Sequence, residues 1–172
     1  GLWDGTQREA NMLDGAAHFY DTYECADGEY ISVGSIEPQF YALLVEKAGL
    51  DAEEFADQHN KARWGEYTEK LAAVFKTKSR AEWCDIMEGT DVCFAPVLSF
   101  MDAPKHPANV ARDVYIEVDG VVQPAPAPRF SRTPSSVRHG AHEIGADTDE
   151  VLGAMGFEAQ EISRLRETGS IG

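Results

Sequence analysis

Residues 28–44 read GEYISVGSIEPQFYALL, and the fold turns on how this stretch divides. Its first half, 29–34, sets Glu29 and Ser32 among Tyr30, Ile31 and Val33, the mixed alternation of a half-buried strand. Its second half places Phe40, Leu43, Leu44 and Lys47 at helical spacing. Pro38 falls near the first turn, where its missing N–H costs nothing. Gly34-Ser35-Ile36-Glu37 joins the two halves, so a carboxylate stands where a strand hands over to a helix. The free N–H groups and positive dipole end of a helix start favour its ionised form. The plainer reading is that Glu37 only decorates a first turn.

Upstream, residues 17–23, AHFYDTY, are aromatic and alternating, and the Ala26-Asp27-Gly28 turn links them to 29–34 as a β-hairpin. Downstream, the helix from Glu37 should end near Ala48 with Gly49 beyond it, followed by an acidic connector, 51–57, with room for one turn. Trp64, Tyr67, Leu71, Val74 and Phe75 fall on one face of an amphipathic helix. Ser79 and Glu82 have capping-box spacing for a helix over 80–87, closed by Gly89. Residues 92–98, VCFAPVL, read as a buried strand that Pro96 sends to an edge. Met101–Arg112 is helical in patches set by Pro104 and Pro107. Asp119-Gly120 is the strongest hairpin turn in the chain, between strands over 113–118 and 121–123.

At 124–128, PAPAP, the composition changes to an extended, semi-rigid arm. A polar stretch and two short helices, near 148–155 and 158–166, follow. The expected class is therefore α+β, with a short antiparallel sheet and hairpins packed with helices. The organisation expected is a small domain over 1–124, then an extended arm and helical tail over 125–172 that dock elsewhere.

The 172 residues suffice for one real core. A formal net charge of −15 gives nucleic acid or an anionic membrane surface no broad basic patch to meet. No apolar run approaches the ~20 residues needed to cross a bilayer. No secretory signal is present, and an opening of Gly1-Leu2-Trp3 without an initiator Met suggests a piece of a longer polypeptide. Cys25, Cys84 and Cys93, odd in number and widely spaced, read as reduced, buried thiols of a cytoplasmic protein. None forms a CxxC pair, so no metal is assigned.

Chemistry is sparse in the pattern. Ser35 stands in no GxSxG elbow, and Cys84 and Cys93 have no adjacent His. No phosphate-binding Gly-rich loop follows a strand. His18 reads as a packed or surface residue, and His106, His139 and His142 as loop residues in solvent. Arg129 and Arg132 are phosphate-binding candidates, though solvated or docked basic residues are the simpler account.

Three strings carry a resemblance: NMLDGAAHFYDTYECADGEYISVGSIEPQFYALL (11–44), KSRAEWCDIMEGTDVCFAPV (78–97) and PAPRFSRTP (126–134). They resemble the class III CoA-transferase (formyl-CoA transferase/carnitine dehydratase-like) family, and IEPQF is specific to its racemase branch. The stretch 143–157 fits the end of that family. The resemblance implies interconversion of (R)- and (S)-2-methylacyl-CoA thioesters by 1,1-proton transfer through an enolate. Coenzyme A is then part of the substrate, and no separate cofactor is expected.

By the same resemblance, the acid/base His and Asp belong to an N-terminal large domain whose motifs have no counterpart here. The chain alone is therefore expected to be inactive. An interlocked homodimer is implied, in which Glu37 matches a glutamate that hydrogen-bonds the partner subunit's catalytic His. Leu13, Tyr20 and Ile36 match positions lining the acyl pocket. Two other readings stand beside this one: part of a class III acyl-CoA transferase, or a non-catalytic interaction module.

Overall fold

The computed structural model describes residues 3–172; Gly1 and Leu2, part of the opening read above as a fragment start, lie outside the described residues. The chain divides into one compact unit ending at Phe100 and a second from Met101 to Gly172. Composition put the boundary at 124/125. The Asp119-Gly120 hairpin instead groups with the tail.

The first unit holds a three-stranded antiparallel sheet in the order β1-β2-β3, from β1 (Tyr20–Glu24), β2 (Tyr30–Gly34) and β3 (Phe94–Val97). Within the expected hairpin, 17–19 are not strand. Ala17, His18 and Phe19 are fully buried, and the Tyr20 N–H turns back to the Ala17 carbonyl at 2.8 Å. In β2, Ile31 and Val33 face the core while Tyr30 is exposed. Pro96 lies in β3, which among the described residues pairs with β2 alone and is an edge, where a missing N–H leaves no ladder bond unmade.

Three helices cover this sheet: α1 (Pro38–Ala48), α2 (Trp64–Phe75) and α3 (Arg80–Met87). Gly49 ends α1 at φ +70, a left-handed conformation glycine adopts without a Cβ penalty. The capping box of α3 is complete, with Ser79 accepting from the Glu82 N–H and Glu82 accepting from the Ser79 N–H at 2.8 Å. Arg80 then ties α3 to the sheet, reaching Glu29 and the Val97 carbonyl, both at 2.6 Å.

Trp64, Tyr67, Leu71 and Phe75 of α2 are buried as their spacing requires, with Trp83 and Met87 of α3 beside them. Each large apolar side chain so buried contributes roughly 1.5–3 kcal/mol relative to exposure. The acidic connector forms one turn, closed by the Phe55 N–H on the Asp51 carbonyl at 3.0 Å. It delivers Phe55, 1% exposed, to stack on Tyr67 at 4.5 Å. Of the three cysteines only Cys25 is buried. Cys84 is half-buried and Cys93 is exposed, because its backbone at φ +59 turns it outward before β3.

The second unit opens with a short 3-10 turn and the five-residue α4 (Pro107–Ala111). Its hairpin pairs β4 (Tyr115–Val118) with β5 (Val121–Pro124) about Asp119 and Gly120, whose φ values of +51 and +79 give the turn that matches strand twist. No regular element follows until α5 (Thr148–Ala154) and α6 (Ala159–Glu167). His139 and His142 stack at 4.1 Å, and His142 bonds Asp147 at 2.8 Å. The architecture is α+β, as the sequence implied.

Candidate functional site

The corner after β2 is fastened from three directions. The Ser35 N–H donates to the Phe19 carbonyl at 2.9 Å, and its hydroxyl donates to the Val92 carbonyl at 2.5 Å. Gln58, 6% exposed, reaches from the connector to the carbonyls of Ser35 and Ile36 at 3.1 and 2.9 Å. Ser35 is fully buried, and Ile36 is half-buried against the core. Sequence reading passed over Gln58. A polar residue in a polar connector carries no local signal of burial.

Glu37 follows as the N-cap of α1, with extended backbone. Its carbonyl accepts the Phe40 and Tyr41 N–H groups at 3.0 and 2.9 Å. Its side chain makes no capping bond, is exposed, and has no hydrogen bond or ion pair among the described residues. The carboxylate therefore uses none of its hydrogen-bonding capacity on its own helix. Its charge is felt nearby: although Cys93 is exposed, partial loss of water around its thiol pushes the pKa up, and Glu37 and Asp91 add to the shift.

Cys93 belongs to the wall of an open groove of about 550 Å³ on the sheet, together with Leu13, Tyr20, Asp21 and Gly34. Leu13 and Tyr20, 47% and 36% exposed, present apolar surface to it. A knot centred on Asn11 holds the Leu13 segment: the Asn11 amide donates to Asp14 at 2.6 Å and to the Asp4 carbonyl at 2.9 Å. Burial alone would raise the Asp14 carboxyl, but the Asn11 side chain together with the backbone N–H groups of Asn11, Ala10 and Ala16 holds it below the ordinary range. Asp21 behaves in the opposite way. Burial pushes it up, and the charge of Glu9 adds to the shift against a single opposing bond from the Thr22 N–H at 2.7 Å. The structure thus brings Leu13 and Tyr20 into one groove. Ile36 and Glu37 lie just past Gly34, outside its lining.

Behind this surface His18 is fully buried among Phe19, Tyr41, Phe55 and Tyr67. The Tyr41 hydroxyl has one proton and donates it to the Phe55 carbonyl at 3.0 Å. It therefore accepts from His18 Nε2–H at 2.8 Å. Nδ1 carries the lone pair, buried and without a partner among the described residues. Burial, and then the nearby His59, lower the His18 pKa to about 4. This histidine is a neutral strut, and its position gives it no route to a substrate. Among the described residues no cluster of three or more His, Cys, Asp or Glu is arranged to hold a metal ion, and no helix is long and apolar enough to cross a membrane.

The site thus consists of a groove on a small antiparallel sheet, with an unengaged carboxylate at the adjoining β-to-α corner. The profile of CoA-transferase family III matches residues 2–148, and the chain belongs to that family. Among its relatives, the α-methylacyl-CoA racemase of Mus musculus is 47% identical over 169 residues, covering 96% of this chain and 44% of the mouse protein. The Homo sapiens α-methylacyl-CoA racemase is 44% identical over 167 residues, covering 95% of this chain and 43% of the human one. The chain therefore spans less than half the length of these curated relatives. In fold it is similar to the crystal structure of Rv3272 from M. tuberculosis, with a TM-score of 0.60 at 18% identity over 72% of this chain and 36% of that one.

Proposed function

We propose that this chain is the C-terminal part of a 2-methylacyl-CoA racemase and that it acts only with the N-terminal large domain supplying the acid/base His and Asp. The observation that supports this most is the identity of 47% with the mouse racemase, sustained over 96% of the chain. Racemisation α to a thioester needs one group to remove a proton and another to return it on the opposite face. Each such group contributes about 10²–10⁴-fold when positioned.

Glu37 is the positioning residue in this reading. Exposed and unpaired, it is available to accept a hydrogen bond from the His of the partner subunit in a homodimer. That bond would fix the imidazole tautomer and favour its cation. Leu13 and Tyr20, with Ile36 beside them, supply the apolar wall along which the acyl chain swings between the two faces. The substrate brings its own coenzyme A, no further cofactor takes part, and the enzyme works in the cytoplasm.

The test uses the full-length protein and 2-methyldecanoyl-CoA in deuterium oxide. Exchange at the α carbon with loss of stereochemical purity is expected, and its absence overturns the reading. Glu37→Gln should lower turnover by well over tenfold without changing the fold. An acyl-CoA transferase is the second reading, favoured by the 26% identity to a Fusarium pseudograminearum protein described as an acyl-CoA transferase. Formation of a new thioester when a second carboxylic acid is added would select it. A non-catalytic module would give neither product.

A further inference from the structure

The groove is bare beside Tyr20 because residue 34 is glycine, and its backbone does not account for that choice. Gly34 lies in β2 with φ outside the left-handed region, so any residue could adopt its conformation. It is the direct cross-strand partner of Tyr20, and such partners project from the same face of the sheet. A Cβ at position 34 would lie 3.6 and 3.7 Å from Cε2 and Cδ2 of the Tyr20 ring and 3.8 Å from the Cys93 carbonyl oxygen. One methyl group would therefore meet the ring at ordinary van der Waals distance, and anything larger would have to displace the ring or fill the groove.

The backbone has no freedom to relieve this. The Gly34 N–H donates to the Cys93 carbonyl at 2.8 Å, and its own carbonyl accepts the Ile36 N–H at 2.9 Å. The next residue, Ser35, is held by the fastened corner.

We propose that Gly34 is the specificity-determining residue of the groove. Its missing side chain leaves the space in which the branched end of an acyl group lies against the Tyr20 ring. The inference rests on the acyl-CoA reading above and sharpens it, since the width of the acyl group accepted is set by the volume at residue 34. Ala narrows the space by one methyl. Val narrows it by three carbons at a strand position where β-branching is otherwise welcome.

The experiment compares full-length wild type, Gly34→Ala and Gly34→Val. Calorimetric titration is done with 2-methyldecanoyl-CoA and with free coenzyme A, and α-deuterium exchange is followed in parallel. Gly34→Val is expected to weaken binding of the thioester about tenfold or more, and Gly34→Ala by a few-fold. Affinity for free coenzyme A should be unchanged, and the loss in exchange should appear in KM rather than kcat. If Gly34→Val fails to fold, Gly34→Ala carries the same comparison, because its Cβ makes only ordinary contacts. Unchanged thioester affinity, or an equal loss for free coenzyme A, overturns the inference. Wild type that binds the thioester without exchanging its α proton, with binding still weakened by the larger residues, sinks the racemase reading and leaves the inference standing. Wild type that binds no thioester sinks both.

Discussion

The two units of this chain bury their residues in opposite proportions. The first assembles a continuous core from Ala17 to Val92, in which Phe19, Phe55, Tyr67, Phe75 and Trp83 are at most 1% exposed. In the second, Ile162 is the one hydrophobic residue buried among those described, and Ile144, Met155 and Val121 stand open to solvent. The first unit has the means to hold its groove and corner in place by its own packing. The second has a hairpin, an arm and two short helices with little of their own to pack on. Under the reading proposed above, its exposed apolar side chains are those that the large domain would cover.

This contrast can be broken most directly at Trp83. Its ring packs edge-on against Phe75 at 5.1 Å and its indole N–H donates to the Phe75 carbonyl at 2.9 Å. Trp83→Ala should cost about 3–5 kcal/mol in denaturant unfolding of the chain. Ile162→Ala, by contrast, should leave the protection of the core amides against hydrogen exchange unchanged. Equal loss of core protection in the two variants would end the distinction between the units.

Acid should discriminate next. His18 is neutral in the folded chain with its pKa lowered to about 4, against an ordinary value near 6.5. Between those values the unfolded chain binds a proton that the folded chain refuses. Stability is therefore intact above pH ~6.5 and falls as pH drops toward ~4, by up to roughly 3 kcal/mol. Unfolding followed against pH should show this slope in wild type and lose it in His18→Phe. Persistence of the slope in the variant would assign it to other groups.

Tyr41→Phe comes third. It strands the His18 Nε2–H and the Phe55 carbonyl that the hydroxyl now serves, at a cost of about 1–3 kcal/mol. The smallest effect is expected at Glu37, whose side chain has no partner within the described residues. Glu37→Gln should not move the thermal midpoint measurably, and a clear destabilisation would show that the carboxylate serves its own unit after all.

Most of the elements were legible because their causes are local. The α2 stripe, the Ser79/Glu82 box, the Gly49 stop and the Asp119-Gly120 turn each declare themselves within a few residues. What stayed hidden depends on distant partners. Phe55 and Gln58 sit in a connector whose acidity reads as surface, and only the approach of α2 and of the Ser35 corner buries them. Cys93 looked buried because its neighbours are apolar, but a single left-handed residue turns it out of the core. Residues 17–19 alternate like a strand, yet they form the tight buried turn that brings His18 under Tyr41. At the site, Glu37 drew attention by its place in the sequence, and Leu13 and Tyr20 came from the family resemblance. Gly34 and Cys93 became visible only when the paired strands were placed side by side.

The corner that carries Glu37 joins segments far apart in the chain, since the Ser35 hydroxyl closes on a carbonyl 57 residues further on. A connection of that span pays its loop-closure entropy before it returns any stabilisation. During synthesis, then, the last of the corner's three fastenings closes only after Val92 has left the ribosome. A nascent or clipped chain ending short of that residue would carry the Glu37 carboxylate on a corner held by Phe19 and Gln58 alone.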